Sequence, residues 1–311
     1  MTPFHTDRTK QAGAKALAVV AMLMLLMPAA GAQQGFETAD KAASALADAI
    51  KSGSKLDALK VLGLKGEDII DSGDKVADAE AWQKFTTAYD ARHNVAVDGD
   101  KASLVIGNDD FPFPVPIVRQ KGVWKFDTAA GRLEVLYRRI GRNELDAIQT
   151  CLAYIDAQNE YAEKDRTGAG AGVYAQRIVS TEGKKDGLYW PALGGDESPL
   201  GELVAQASAE GYNPGAGRAP YHGYNYRILT QQGPNAPGGV LNYVVQGKMI
   251  GGFALLAYPA EYGNSGVMTF LVNHLGVVYQ KDLGDSTMAR ARRIVWFDPD
   301  QTWKKVNMAS P

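Results

Sequence analysis

The stretch from Gly131 to Asp165, "GRLEVLYRRIGRNELDAIQTCLAYIDAQNEYAEKD", decides the fold because it predicts one very long helix. Its apolar residues recur mostly at steps of three and four, as one face of a helix requires. Gly141 interrupts this pattern and is the place where we expect a kink or a break. A helix of about 30 residues exceeds the usual globular length, so we predict a connecting helix over residues 131–166 that joins two halves. The predicted stripe consists of Leu133, Leu136, Ile140, Leu145, Ile148, Leu152 and Ile155.

The chain before this helix predicts helices followed by antiparallel strands. "ETADKAASALADAIKSG" and "DAEAWQKFTTAYDARH" have helical spacing, and the period changes to two from Asn94. Asp98-Gly99-Asp100 and Lys121-Gly122 predict two hairpin turns. Three prolines confine the segment 111–116 to a sheet edge or a loop. Residues 33–130 are therefore predicted to form a small helix-plus-antiparallel-sheet unit.

The chain after the helix predicts a second antiparallel sheet. The glycine-rich "TGAGAG" ends the connecting helix, and a short helix is expected from Leu200 to Ala209. Strands are expected in "GYNYRIL", "LNYVVQGKM", "GGFALLAYP" and "GVMTFLVNHLGVVYQKDLG", and the closing "RRIVWFDPDQTWKKV" has a strand-like core. The fold class is therefore α+β in two domains, with residues 167–311 forming the second.

The first 32 residues predict export. Lys10 and Lys15 precede an uncharged apolar run, which ends at Pro28 and is followed by Ala30-Gly31-Ala32, a pattern that signal peptidase accepts. The run of about 15 residues is short for a membrane span, so a cleaved signal peptide is favoured over an uncleaved anchor. Residues 1–32 are predicted to be removed, which leaves an exported protein of the periplasm or cell envelope. No further membrane span is expected after cleavage.

The net charge bears on the class of partner, and the cysteine count bears on disulfide bonds. Removing three basic residues and one acidic residue with the signal peptide changes the formal charge from −2 to −4. A mildly acidic chain without a basic stripe argues against a nucleic-acid partner. Cys151 is the single cysteine, so no intramolecular disulfide is expected, and its place on the helix predicts a core position.

No motif for catalysis, a cofactor or a metal emerges. His93, His222 and His274 have no second histidine or cysteine at ligand spacing, so no metal site is predicted. "GAGAG" follows a helix rather than a strand and predicts no nucleotide cofactor, and "GNSG" is not a nucleophile elbow. "DSGD" does not match a calcium loop. Glu134 and Glu144 are a conceivable carboxylate pair, but we expect them to be solvated.

The stretch "YHGYNYRILTQQGPNAPGG" from Tyr221 to Gly239 is the strongest candidate for a binding site. Tyr224 and Tyr226 share one face of a predicted strand, and such tyrosines ordinarily cover a sheet. "QQGPNAPGG" is expected to be a polar hairpin loop. The ordinary interpretation is aromatic packing beside a surface loop. The alternative is a shallow site for a sugar or peptide, lined by His222, Tyr224, Glu261 and Tyr262.

Three long motifs support a family resemblance. "PYHGYNYRILTQQGPNAPGG", "GGFALLAYPAEYGNSGVMTFLVNHLGVVYQKDLG" and "WFDPDQTW" resemble an uncharacterised family of exported bacterial proteins, domain of unknown function 2950. This resemblance runs over essentially the whole mature chain. The resemblance implies that the protein is exported, and it implies no particular activity.

A looser resemblance concerns the second half alone. "NELDAIQTCLAYIDAQNEYAEKD" leads through a glycine-rich loop to "GYNYRIL" and "FALLAYPAEYGNSGVMTFLVNHLGVVYQ". This order is similar to the globular heads of type IV pilins and pseudopilins, where a helix packs across an antiparallel sheet. In pilins an apolar helix joins the head directly, whereas here a separate domain intervenes. The resemblance therefore implies a pilin-like head used as a soluble module rather than a pilus subunit.

Two functions follow as hypotheses. The favoured one is a non-enzymatic envelope protein that binds an envelope protein or a glycan. The alternative is a hydrolase of an envelope polymer, whose carboxylates do not form a recognisable motif. A buried, close acid pair in a cleft would favour the hydrolase.

Overall fold

The structure is a computed structural model that describes residues 33–192, 197–213 and 220–307. The predicted signal peptide, residues 1–32, lies outside the described residues. Within them the chain forms helices and antiparallel sheets, which confirms the α+β class. The helices are α1 Ala39–Lys51, α2 Lys55–Leu62, α3 Glu67–Ile70, α4 Lys75–Ala91, α5 Thr128–Ala162, α6 Gly201–Glu210 and α7 Thr287–Arg293.

The first half begins with helices whose starts are set by side-chain caps. Thr38 and Ser54 accept hydrogen bonds from backbone amides of α1 and α2, as N-cap residues do. α1 is rich in alanine, and its buried face includes Leu46 and Ile50. Small side chains let this helix lie close to the sheet that follows.

The first sheet contains five antiparallel strands, four of them in the order β1-β2-β4-β5, and β3 pairs with β2 at Val105–Ile106, beyond the residues that pair with β4. Both predicted hairpins are confirmed, since Asp98 pairs with Lys101 and Gln120 with Val123. The proline-containing β3 lies off the main strand order, as its missing amide donors require. The strands are β1 His93–Asp98, β2 Lys101–Ile106, β3 Phe111–Pro112, β4 Ile117–Gln120 and β5 Val123–Phe126.

The long helix α5 is confirmed, and it runs unbroken through Gly141. It starts three residues earlier than predicted because the Asp127 carboxylate caps it by accepting from the Ala130 amide. The predicted apolar stripe is partly wrong, since Leu133 and Leu145 are exposed. The buried side is marked by smaller or polar residues instead, among them Asn143, Ala147, Cys151, Tyr154, Gln158 and Tyr161.

The second half is built on another five-stranded antiparallel sheet, in the order β14-β13-β12-β11-β6. Two short ribbons, β7 with β8 and β9 with β10, lie beside it along the chain. The strands are β6 Tyr224–Leu229, β7 Gln231–Gln232, β8 Leu241–Asn242, β9 Val244–Val245, β10 Lys248–Met249, β11 Ala254–Pro259, β12 Met268–Asn273, β13 Tyr279–Asp282 and β14 Lys304–Lys305.

The central strands β11 and β12 are buried along almost their whole length. α5 packs against both strands, and α7 contacts β11. Covering on both sides explains why "ALLA" and "TFLVN" do not alternate with polar residues. The closing segment, residues 292–306, differs from the expectation of a strand-like core, because its core makes only an isolated bridge at Phe297 and its named strand is Lys304–Lys305.

Buried apolar residues form two clusters. One lies between Phe36 and Phe126, and the other between Ala147 and Phe297. The second cluster includes the C-terminal half of α5 as well as the sheet. These clusters parallel the proposed domains 33–130 and 167–311, and the division into domains stays a prediction.

Candidate functional site

The predicted stretch begins with a tight turn from Tyr221 to Tyr224, which we call the His222 turn. Tyr221 and Tyr224 exchange two backbone hydrogen bonds of 2.9 and 3.0 Å. The two central residues both have positive φ, 47° at His222 and 73° at Gly223. This is the geometry of a type I′ turn, whose first central position favours asparagine, aspartate or glycine. Histidine in this conformation costs on the order of 1 kcal/mol, and such strain concentrates at functional sites.

His222 lies between two carboxylates that come from different helices. Its Nδ1 is 3.5 Å from Oδ2 of Asp146 on α5, and its Nε2 is 3.2 Å from Oε2 of Glu210 at the end of α6. Only the protonated imidazole can donate at both nitrogens. The ring centroids of Tyr212 and Tyr221 lie 5.6 and 4.2 Å from the centroid of the imidazole. Burial raises the pKa of Tyr221 to about 12, and the charges of Glu210 and Asp146 add to the effect.

Asp74 fixes the His222 turn to the first half of the molecule. It is 3% exposed, and its Oδ1 caps α4 by accepting from the amides of Val76 and Ala77. Its Oδ2 accepts from the Tyr212 hydroxyl at 2.8 Å and from the Gly223 amide at 3.0 Å. Burial, followed by the charge of Asp74, raises the pKa of Tyr212, so its phenol keeps the proton that it donates. A single carboxylate thus joins a helix start to the turn.

Arg139 on α5 extends this junction. Its guanidinium donates to the carbonyls of Asp68 and Ile69 at 2.6 and 2.7 Å, and to Oδ1 of Asn264 at 2.5 Å. The Asn264 amide in turn donates to the carbonyl of Asp71 at 3.1 Å. The loop between β11 and β12 is therefore tied to the segment before α4.

Beside these contacts lies a cleft of about 760 Å³, which we call the junction cleft. Its volume falls within the range of about 300–1,000 Å³ that is usual for small-ligand sites. Both halves of the chain contribute to its walls. The lining residues are Leu64, Lys65, Glu67, Asp68, Asp71, Ala129, Arg132, Leu133, Glu261 and Asn264.

The structure places the four sequence-predicted residues in different surroundings. His222 occupies the strained turn, whereas Tyr224 is fully buried and donates its hydroxyl to the carbonyl of Met268 at 2.9 Å. Glu261 lines the junction cleft and accepts from Asn264 at 2.7 Å. Tyr262 donates to Asp282 at 3.2 Å. Their use in binding stays a prediction.

Other residues of the junction were missed by sequence reasoning. Asp74 ends the "DSGD" motif, which has the form of a helix N-cap as well as of an acidic pair. Asp146 and Glu210 carry no signal, because they meet His222 only through the packing of α5 and α6. Glu144, expected to be solvated, accepts from the amides of Val267 and Met268 at 3.0 and 2.9 Å.

The described residues contain neither a cluster of metal-ligand side chains nor a helix that could span a membrane. No group of three or more histidine, cysteine, aspartate or glutamate side chains is placed to hold a metal ion. No helix there combines the length and the apolar character needed to cross a membrane. Cys151 is fully buried as predicted, and burial raises the pKa of its thiol to about 12.

Comparisons with known proteins separate the two resemblances. No curated protein and no solved structure matches the chain. The likeness to pilin heads is therefore not confirmed. One family model does match, over residues 33–306, and its description is "Protein of unknown function (DUF2950)". Because this match covers most of the chain, the protein belongs to the DUF2950 family, as its motifs predicted.

Proposed function

We propose that the protein is an exported binding protein of the cell envelope that holds an amino-bearing ligand in the junction cleft. The export step rests on the apolar run before Ala30-Gly31-Ala32. The family match begins at residue 33, where the mature chain is predicted to start. The ligand class rests on the charge of the cleft.

The observation that carries the proposal is the excess of carboxylates in the cleft lining. Four carboxylates line the cleft with two cations, Lys65 and Arg132. Arg132 pairs with Asp68, and Lys55, which is not among the lining residues, pairs with Glu67 and Asp71. Within the described chain this leaves Glu261 as the lining carboxylate without an ion pair. Leu64 and Leu133 add exposed apolar surface. A ligand with one or more ammonium groups on an apolar body matches this lining. A basic peptide and an amino sugar share that chemistry. The four carboxylates are Glu67, Asp68, Asp71 and Glu261.

The state of these carboxylates favours binding over hydrolysis. A general acid needs a proton-retaining carboxyl, usually one of a close pair. The hydrogen bond from Lys55 holds the pKa of Asp71 below its ordinary value. Asp68 forms an ion pair with Arg132, and Glu261 accepts a hydrogen bond from the side-chain amide of Asn264.

Binding of matched probes tests the proposal. The tetramer of β-1,4-linked glucosamine and a trilysine peptide are titrated against the protein by calorimetry, beside the N-acetylated form of each. We expect at least one cationic probe to bind and its acetylated form to bind at least tenfold more weakly. Binding should also weaken as salt is added. Equal binding of the charged and acetylated forms would refute an ammonium site.

Variants locate the binding. The double variant Glu67→Gln/Glu261→Gln removes two carboxylates from the cleft, and we expect about tenfold weaker binding, at up to about 1 kcal/mol per exposed charge pair. Glu80→Gln is the matched control, because Glu80 lies on exposed α4 and pairs only with Lys84 among the ion pairs of the described chain. An equal loss of affinity in the double variant and in Glu80→Gln would show that the ligand binds outside the junction cleft.

A second candidate function is hydrolysis of an envelope polymer at His222. The observation in its favour is the position of His222, whose backbone has a positive φ and whose imidazole lies between the carboxylates of Asp146 and Glu210. Release of labelled fragments from purified cell-wall material would measure it. His222→Asn suits the turn geometry and removes the base, so it should abolish release and leave cleft binding intact. Equal activity of the wild type and His222→Asn would exclude this role.

Export has its own test. The amino terminus of protein recovered from the periplasm should be at or near Gln33. Recovery of an intact segment 1–32 on membrane-bound protein would contradict a cleaved signal peptide.

A further inference from the structure

A second concave surface, which we call the tryptophan groove, lies in the second half, away from the residues that line the junction cleft. It has a volume of about 450 Å³ and is formed by β13, α7 and the segment that follows α7. Trp296 and Trp303 line it together with three cationic side chains and one carboxylate. Trp296 is 42% exposed, so a large aromatic face is open to a ligand. The cations are Lys281, Arg290 and Arg293, and the carboxylate is Asp298.

The backbone around Phe297 explains why Trp296 is exposed. Phe297 is fully buried and packs against Tyr279 with ring centroids 5.9 Å apart. Its amide donates to the carbonyl of Gln231, and its carbonyl accepts from the amide of Gly233, each at 3.0 Å. Because neighbouring side chains of an extended segment point to opposite sides, anchoring Phe297 turns Trp296 outward.

The positive charge of the groove is only partly balanced by the protein, since Asp298 lines it and Asp300 interacts electrostatically with Lys281. Asp298, its single carboxylate, already accepts from the Asn235 amide at 2.7 Å and from its side chain at 3.1 Å. Arg290 is held by the Leu283 carbonyl at 2.6 Å, and Lys281 lies 5.7 Å from the centre of the Trp303 ring. Within the described chain, no carboxylate forms an ion pair with Arg290 or Arg293. The groove is therefore lined by more cations than carboxylates, although the net charge of the whole chain is −2.

We propose that the tryptophan groove binds an acidic oligosaccharide, with a sugar ring on the exposed face of Trp296 and carboxylates at the arginines. Arginine matches a carboxylate through two parallel hydrogen bonds. Aromatic faces with polar surroundings suit the C–H faces of sugar rings. An open groove of this size fits a segment of a chain that continues past it. Three cations are few for nucleic acid, where tight binders neutralise about six to ten phosphates.

Matched probes and neighbouring variants test this site. The tetramer of galacturonic acid and its fully methyl-esterified form share the same sugar chain, but the ester carries no charge. We expect the acidic tetramer to bind and to change tryptophan fluorescence, and the ester to bind at least tenfold more weakly. Trp296→Ala and Arg293→Gln should each weaken binding at least tenfold. Arg292→Gln is the control, because Arg292 is an exposed neighbour that does not line the groove.

Each remaining outcome counts against the site. No binding of the acidic tetramer at millimolar concentration overturns the proposal, as does an equal loss in Arg292→Gln and Arg293→Gln. Equal or tighter binding of a single-stranded DNA oligonucleotide, or of vesicles rich in phosphatidylglycerol, would identify a general polyanion or membrane surface instead. Circular dichroism and thermal unfolding of each variant separate loss of binding from loss of folding. The Glu67→Gln/Glu261→Gln variant should bind the acidic tetramer normally, so the two sites can fail independently.

Discussion

Tyr224 and Tyr226 lie two positions apart on β6, but their hydroxyl groups have different surroundings. The Tyr224 hydroxyl donates to the carbonyl of Met268. The Tyr226 hydroxyl is buried and has no hydrogen-bond partner in the described chain. Thr150 is close enough to affect the pKa of Tyr226, and its own hydroxyl donates to the carbonyl of Asp146. The sequence predicted that both tyrosines face the sheet, and it could not predict which hydroxyl is satisfied.

Replacing each tyrosine by phenylalanine separates the two environments. Tyr224→Phe should lower the free energy of unfolding by about 1 kcal/mol, because the Met268 carbonyl loses its donor. Tyr226→Phe should leave stability unchanged or raise it by up to about 1 kcal/mol, because it removes a buried unpaired hydroxyl. Urea denaturation of both variants measures the difference. A larger loss in Tyr226→Phe would show that its hydroxyl is satisfied in solution.

His274 follows directly after β12 and is partly buried. Its ring packs edge-on against Tyr243, with centroids 5.6 Å apart, and its buried Nδ1 has no partner in the described chain. Burial lowers the pKa of His274 below its ordinary value of 6.5. The cause is tertiary, since strands β11 and β12 bring Phe253 and His274 together.

The lowered pKa of His274 predicts a pH dependence of stability. The unfolded chain binds the proton more readily than the folded protein, so its contribution is intact above pH 6.5 and is lost as the pH falls below that value. Wild-type protein should therefore lose stability between pH 7 and pH 5.5, and His274→Gln should lose less. Chemical denaturation at both pH values measures this change. The same loss in both proteins would mean that His274 does not titrate in this way.

At the scale of an element, α5 shows why periodicity alone misjudged a buried face. Gln158 is fully buried, yet its side chain makes two hydrogen bonds of 2.8 Å with the backbone of Ala175. A polar residue with such a partner can face a core, whereas Leu133 and Leu145 are exposed although both are apolar. Helix length and type followed from the sequence. Its buried face depended on partners that are distant in the chain.

Two glycines of α5 give a prediction with an internal control. A Cβ added at Gly131 would lie 2.5 Å from Cα of Val115 and 2.8 Å from the Pro114 carbonyl oxygen, so backbone would have to move. Gly131→Ala should lower the free energy of unfolding by about 2 kcal/mol or more. At Gly141 nothing lies within 4 Å, and Gly141→Ala should raise it by about 0.5–1 kcal/mol. Thermal unfolding compares them, and similar shifts in both variants would refute the close approach of α5 to the Pro114 segment.

At the scale of the whole molecule, each half was more predictable than the junction between them. The hairpins at Gly99 and Gly122 follow from local turn chemistry, and the strands from their period. The contacts of Asp74 with Tyr212 and Gly223 span 138 and 149 residues. No local pattern encodes such a pairing. The junction cleft and the carboxylates beside His222 were missed for the same reason.

The last prediction concerns the coupling of the two halves through Asp74. Serine is as good an N-cap as aspartate, so Asp74→Ser keeps the start of α4 and removes the acceptor for Tyr212 and Gly223. Two buried donors would then lack a partner, at about 1–3 kcal/mol each, so the free energy of unfolding should fall by about 3 kcal/mol. Asp127→Ser, which changes the cap of α5 without a contact of this kind, should cost less than about 1 kcal/mol. Calorimetry should show one unfolding transition for wild type and Asp127→Ser, and a broadened or divided one for Asp74→Ser. Equal, small losses in both variants would show that the halves are held together by other contacts, with Arg139 and Asn264 the next pair to remove.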